Sequence, residues 1–147
     1  MFPAAPEFYP LPLPDALPFY PVDLGAAVHE MVHVLQAYPG PKQPGPGDTA
    51  KYSKPGWLVE GIADYLRWVV CCPEPGALPE HFAKRSYRES YRTAAVFLDW
   101  ISKRSGPQVL CDWNDALRRG VFHEGLIEAS TGKALDPLWA EFQAARP

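Results

Sequence analysis

Apolar side chains recur at intervals of three and four residues in several separate stretches, the spacing of one face of an α-helix. The first stretch is 24–38, where Asp23 is available as the N-cap and Pro39 stops the helix. The second stretch, 57–70, ends shortly before Pro73. The pattern therefore predicts two helices joined by a segment without helical periodicity.

Further helices are indicated in the second half of the chain, by periodicity in one stretch and by start and stop residues in the others. A third helix is predicted over 86–104, and shorter ones over 107–119 and 121–130. A last helix is predicted to open at Asp136 and Pro137, an N-cap followed by proline at the first helical position. No segment has the alternation of a strand, and no internal repeat is present. The sequence predicts a mainly α fold.

Prolines divide the chain. There are 18 in 147 residues, more than twice the usual share of about 5%. They concentrate in 1–23 and 39–55, where regular structure is disfavoured because proline lacks the N–H donor. The predicted organisation is a Pro-rich N-terminal segment, 1–23, followed by one domain, 24–147.

Composition and charge exclude several classes of protein. An apolar fraction of 47% is enough for a core, and 14 Lys plus Arg against 17 Asp plus Glu give a net charge of −3. We therefore expect neither a disordered chain nor a nucleic-acid partner. No apolar run reaches the roughly 18–20 residues of a membrane span, so no membrane partner is predicted. The N-terminus has no signal-peptide pattern.

Three residues of the first helix have the spacing of a metal site. His29, Glu30 and His33 form H-E-x-x-H. Two histidines four residues apart leave the same helix face and can reach one ion, and the glutamate stands beside that ion as a general base for water. The alternative is a pair of helical histidines without a metal.

A catalytic zinc site needs a third protein ligand and one open position. The metzincin pattern is excluded, because Gln36 and Pro39 stand where glycine and histidine are required. Glu60 is the candidate, since a carboxylate among apolar neighbours is costly unless it is bound. Asp64 lies on the same helix face, where it can accept the remaining N–H of an imidazole, His29 being the expected donor.

These segments also carry a family resemblance. H-E-x-x-H followed by W-L-x-E-G-x-A-x-Y resembles the gluzincin arrangement, in which the second segment supplies a glutamate ligand. The chain more closely resembles the plant basic secretory protein family of metallopeptidases, which also occurs in fungi and bacteria. The matching segments are HEMVHVLQ at 29–36, EGIADYLR at 60–67, SYRTAAVFLDW at 90–100 and GKALDPLWAEF at 132–142. The resemblance covers about 24–147.

The resemblance implies an extracellular zinc endopeptidase with a zincin-like helical core and a peptide or protein substrate. Carried over residue by residue, His29, His33 and Glu60 hold Zn²⁺ and Glu30 activates the water. Tyr91 matches the tyrosine before the family's A-x-F-L-D segment and is the candidate donor to the oxyanion. The alternative for Tyr91 is a place in the core.

The chain departs from the family before the first helix. Family members have an α+β fold with strands there, and in zincins an edge strand aligns the substrate. Only 1–23 precedes the helix here, so we expect these strands to be missing. The chain is then either truncated or a degraded member, and the alternative function is an inactive zinc-binding module.

Two other interpretations of the function have weaker support in the sequence. Lys84, Arg85, Arg88 and Arg92 interleave with tyrosines, as on a surface for nucleic acid, but solvated charges on a polar helix face explain them more simply. Nucleophilic catalysis by Cys71 or Cys72 is disfavoured, because the C-terminal end of a helix raises the pKa of a thiol. A disulfide to Cys111 and free thiols both remain open. The oligomeric state is not indicated.

Overall fold

The structure, a computed structural model, describes residues 21–40, 52–82 and 85–145, with side chains from Leu24 onward in the first range. Within these ranges every regular element is a helix. The elements are α1 (Pro21–Gln36), α2 (Gly56–Tyr65), a π-helix (Leu66–Cys71), α3 (Tyr91–Ser105), α4 (Gln108–Arg119), α5 (Gly125–Thr131) and α6 (Leu135–Ala145). The predicted mainly α fold is confirmed. Most of the Pro-rich segment, 1–20, and Lys84 lie outside the described residues.

Several helix boundaries differ from the prediction. Helix α1 already begins at Pro21, so Asp23 lies inside it and is not the N-cap. Proline is tolerated there because a first-turn N–H has no helical partner. Helix α6 begins at Leu135, which places Asp136 in the first turn and not at the cap.

Helix α3 begins later than predicted. Its N-cap is Ser90, whose Oγ accepts a hydrogen bond from the Thr93 N–H at 3.3 Å. The preceding residues, 87–89, form a turn. Tyr87 is therefore a buried residue of this turn. It does not lie on the apolar face of the third helix, as its spacing suggested.

The predicted helix 57–70 consists of two elements. Helix α2 runs directly into the π-helix Leu66–Cys71, whose wider turns end where the Cys72 N–H donates to the Arg67 carbonyl at 2.7 Å. Single-turn π-helices are rare and occur frequently at functional sites. Apolar periodicity continues through this change of helix type and does not reveal it.

Helices α2 and α3 form the centre of the molecule. Their backbones approach closely at Gly61, where a Cβ atom would lie 2.9 Å from the Ala94 Cβ. Around this contact, aromatic rings from α2, α3, α6 and the loop before α3 pack edge to face and offset, as aromatic pairs prefer. This aromatic cluster comprises Trp57, Phe82, Tyr87, Phe97, Trp100, Trp139 and Phe142. It holds α2, and hence Glu60 and Asp64, against the core.

Helix α1 lies across α2 and the π-helix. From Leu24 onward it buries one residue per turn, namely Gly25, His29, Val32 and Gln36. This stripe turns His29 toward α2.

The three cysteines, Cys71, Cys72 and Cys111, are free thiols, so the disulfide left open by the sequence is not formed. A membrane span is not found either, since none of the helices in the described part of the chain is long and apolar enough.

Candidate metal centre

Helices α1 and α2 bring three ligand atoms together. The Nε2 atoms of His29 and His33 are 3.0 Å apart, and each lies 3.2 Å from the same oxygen, Glu60 Oε2. The two histidines leave one face of α1 because they are four residues apart. The glutamate meets them from the neighbouring helix, so the contact depends on how α1 packs on α2.

The separations of these atoms fit a metal ion. A tetrahedral zinc ion bound at about 2.0–2.2 Å holds its ligand atoms about 3.3–3.6 Å apart. The three distances here, 3.0, 3.2 and 3.2 Å, form a nearly equilateral triangle slightly smaller than that. Two imidazoles and one carboxylate are also a donor set of catalytic zinc sites. His29, His33 and Glu60 are thus suited to hold one ion.

Two further side chains fix the orientation of the imidazoles. His29 donates from Nδ1 to Asp64 Oδ1 at 2.7 Å, and His33 donates from Nδ1 to Gln36 Oε1 at 2.8 Å. The Gln36 amide is itself oriented, because its Nε2 donates to the Val59 carbonyl at 3.0 Å. Such bonds to the second ring nitrogen are typical of metal-bound histidines.

The hydrogen bonds at Nδ1 also determine whether the opposite ring nitrogens, Nε2, carry a proton or a free lone pair. A neutral imidazole carries one proton, which both histidines use at Nδ1 toward an acceptor. Both Nε2 atoms therefore present lone pairs, to each other and to the carboxylate of Glu60. Three acceptors within 3.2 Å of one another repel unless a cation or a proton lies between them. The arrangement is thus compatible with a cation at this point.

Burial differs across the site. His29 and Asp64 are only 8% and 4% exposed, so their hydrogen bond is shielded from water. The side chains of His33 and Glu60 retain about a quarter of their exposure, at 27% and 26%. The ligand set is therefore anchored on its buried side and accessible on the other.

An open cleft of ≈ 440 Å³ adjoins His29 and Asp64. Glu30 and Tyr91 both line it. The Tyr91 ring lies 6.3 Å from the His29 ring, nearly parallel at 25°, and the residue is 55% exposed. Tyr91 is therefore not in the core, whereas Tyr87, only 3% exposed, is.

All six residues singled out from the sequence therefore lie at one place. They are His29, Glu30, His33, Glu60, Asp64 and Tyr91. Gln36 was missed. Its position three residues after His33 is compatible with a contact on the helix surface, but its orientation depends on the Val59 carbonyl of another helix.

Comparison with models of known protein families identifies a match that covers most of the chain. The model of a family described as "Peptidase of plants and bacteria" matches residues 24–142, a range that contains the whole site. No curated protein and no solved structure matches the chain.

Proposed function

The chain belongs to the BSP family of peptidases of plants and bacteria, and we propose that it is a zinc-dependent peptidase that hydrolyses peptide bonds through a metal-activated water. One observation carries the proposal: three lone-pair donors converge on one point beside a cleft that also contains Glu30. A family of peptidases supplies the reaction class, and the donor set supplies the choice of zinc.

In the proposed mechanism, His29, His33 and Glu60 hold the zinc ion. When bound, zinc lowers the pKa of a coordinated water toward about 7 and polarises a carbonyl group. Asp64 and Gln36 keep both Nε2 atoms free of protons by accepting from Nδ1. The imidazoles are thereby held in the tautomer that binds a metal.

Glu30 acts as the general base and then as the general acid. Its carboxylate takes a proton from the attacking water and returns it to the departing amine. The residue is exposed in the cleft beside His29, which allows it to reach water and substrate. No covalent intermediate with the protein is needed.

Tyr91 is assigned to the oxyanion. Its hydroxyl donates a hydrogen bond to the oxygen that becomes negative in the tetrahedral intermediate. Exposure of the ring in the cleft, close to the His29 ring, supports this role. The proposed substrate is a peptide or protein, the proposed location is extracellular, and no nucleic-acid partner is proposed.

The first test measures metal content. Elemental mass spectrometry on the purified chain should give about one zinc per molecule, and Glu60→Ala should lose it. Glu128→Ala, the same change at an exposed position of α5, is the matched control and should keep the zinc. A folded wild-type chain without zinc would contradict the proposal.

The second test measures hydrolysis of a quenched fluorescent peptide by the zinc-loaded chain. Glu30→Gln should keep the metal and lower kcat by at least a hundredfold, as expected for loss of a general base. Equal hydrolysis by both proteins would exclude Glu30 as the base. Zinc binding without hydrolysis by the wild type would identify the chain as an inactive zinc-binding member of the family.

A further inference from the structure

Two arginines share one aromatic ring at the edge of the cleft. The guanidinium carbons of Arg67 and Arg92 lie 4.1 Å and 4.9 Å from the centre of the buried Trp68 ring. Both arginines line the same cleft as His29 and Glu30. We call Arg67 and Arg92 the arginine pair. Two positive charges therefore lie no more than about 9 Å apart, in the cleft beside the candidate metal centre.

Packing fixes the arginine pair in place. Arg67 lies against Gly25 of α1, where a Cβ atom would come within 2.9 Å of Arg67 Nε. Arg92 donates from Nη1 to the Ala77 carbonyl at 3.0 Å. Cation–π contacts with one indole stabilise both guanidinium groups. The side chains are therefore positioned before any ligand arrives, which lowers the entropic cost of binding.

The arginine pair lacks an anionic partner within the described part of the chain. Neither guanidinium forms an ion pair there, although the carboxylates of Glu30, Asp64 and Glu89 line the same cleft. Asp64 is occupied by His29. Arg67 Nε is buried without a hydrogen-bond partner among these residues. Arg67 Nε itself is closed off by Gly25 of α1. The parts of the two guanidinium groups that line the cleft are positively charged and form no ion pair within the described residues, so this end of the cleft is suited to an anionic ligand.

The position along the cleft indicates where such a ligand would sit relative to the metal centre. Arg67 meets α1 at Gly25, while Asp64, three residues earlier, meets it at His29. The two candidate ligands on α1, His29 and His33, lie four and eight residues beyond Gly25, which is about 6 Å and 12 Å along the helix. An extended peptide advances about 3.3–3.6 Å per residue. When the reacting carbonyl lies at the metal centre, a carboxylate one or two residues away along the peptide can therefore reach the arginine pair.

We propose that Arg67 and Arg92 form a carboxylate subsite of the peptidase. The subsite takes an Asp or Glu side chain, or the free C-terminal carboxylate of a peptide, within two residues of the bond that is cleaved. Guanidinium and carboxylate pair through charge-assisted, often bidentate hydrogen bonds. This inference rests on the proposed function, since it names the substrate class of the same site.

The test uses the zinc-loaded full chain and pairs of peptides that differ in one group. In one series Glu replaces Gln at each position within two residues of the cleaved bond, and in the other a free C-terminus replaces an amide. We expect about a tenfold preference, in kcat/KM, for the carboxylate at one position, the gain typical of a charged hydrogen bond. The first series identifies a side chain as the source and the second a C-terminus.

Substitutions of Arg67 and Arg92 test whether the preference for a carboxylate depends on the arginine pair. Arg67→Gln and Arg92→Gln should each reduce the ratio of the two kcat/KM values toward one. Arg67→Glu should reverse it in favour of Lys over Glu at the same position, which a loss of folding cannot do. Arg119→Gln, on α4 and outside the cleft, should leave the ratio unchanged. No preference in the wild type, or one that survives both Gln variants, overturns the proposal.

Binding separates this proposal from the proposed function. Fluorescence anisotropy with zinc-loaded Glu30→Gln measures affinity for the same labelled peptides without cleavage. Tighter binding of the carboxylate peptide, lost in Glu30→Gln combined with Arg67→Gln, supports the subsite even if the wild type cleaves no peptide. Cleavage by the wild type with equal binding of both peptides overturns the subsite and leaves the proposed function standing.

Discussion

Helices α1 and α3 are held in the molecule by different forces. Helix α3 buries Thr93, Ala94, Ala95, Val96, Phe97, Leu98, Ile101 and Ser102, most of them apolar. Helix α1, from Leu24 onward, buries only four residues, and Val32 is the sole large apolar side chain among them. Burial of apolar surface therefore anchors α3, whereas α1 depends on polar contacts.

The polar contacts of α1 are mostly those of the metal centre. His29 bonds to Asp64, and Gln36 bonds to the Val59 carbonyl. The apolar residues Leu24, Met31, Val34 and Leu35 of the same helix are exposed. The helix that supplies the two imidazoles is thus positioned by the chemistry of the site itself. The core beneath it does not need that chemistry, so metal binding and folding should be separable.

The largest effect is expected from the core. Phe97 is fully buried and contacts Trp57, Tyr87, Trp100, Trp139 and Phe142. Phe97→Ala should lower the free energy of unfolding by about 3–5 kcal/mol, because a large cavity replaces the ring. Leu35→Ala, at an exposed position of α1, should change it by less than about 0.5 kcal/mol. Urea unfolding measures both, and similar costs would invalidate the contrast between the helices.

Metal removal should affect α1 more than α3. At free zinc one hundred times the Kd, binding stabilises the folded state by about 2.7 kcal/mol. On chelation we expect the amides of α1 to exchange faster with deuterium while those of α3 keep their protection. Hydrogen exchange with and without a chelator measures this. Uniform loss of protection in both helices would show that the site and the core form one cooperative unit.

A smaller effect is expected where α2 joins the core. Gly61→Ala places a methyl group 2.9 Å from Ala94 Cβ and should cost about 1–3 kcal/mol through overpacking. Gly56→Ala is the control in the same helix, because apart from its own chain neighbours and helix backbone no atom of the described residues lies within 4 Å of the added Cβ. Thermal unfolding compares the two variants. An equal Tm would mean that α2 and α3 separate easily, contrary to the close approach at Gly61.

The site was largely predictable because its signals are local. The spacing of His29 and His33 fixes a shared helix face, and that of Glu60 and Asp64 does the same on α2. The sequence does not reveal that both faces meet, except through the family resemblance. Gln36 was missed for this reason, since its partner is a carbonyl of the other helix.

The fold was predictable in type and less so in its details. Periodicity and start or stop residues predicted each α-helix in the described part of the chain. Periodicity also assigned Tyr87 to the third helix, because a buried aromatic residue in a turn can have the same spacing as one on a helix face. The π-helix was invisible, because Leu66–Cys71 continues an apolar pattern. Both errors arise where tertiary packing, and not local preference, decides the backbone.

The smallest effect is expected at the end of α1, where Tyr38 follows the helix and its hydroxyl donates to Asn114 Oδ1 of α4 at 2.7 Å. Tyr38→Phe should cost about 0.5–1.5 kcal/mol at neutral pH, the typical value of one hydrogen bond.

The pH dependence of this contact tests it further. Burial raises the pKa of Tyr38 well above its usual 10.0. In the unfolded chain the hydroxyl ionises near pH 10, whereas in the folded protein it stays protonated. A folded pKa above the unfolded value gives stability that is complete below pH 10 and lost as the pH rises beyond it. Denaturant unfolding between pH 9 and 11 should therefore show a steeper loss of stability in the wild type than in Tyr38→Phe. Tyr52 and Tyr87 also have raised pKa values, so Tyr38→Phe should still lose part of its stability over this pH range. If the free energy of unfolding of the two proteins fell in parallel with pH, Tyr38 would not anchor the end of α1.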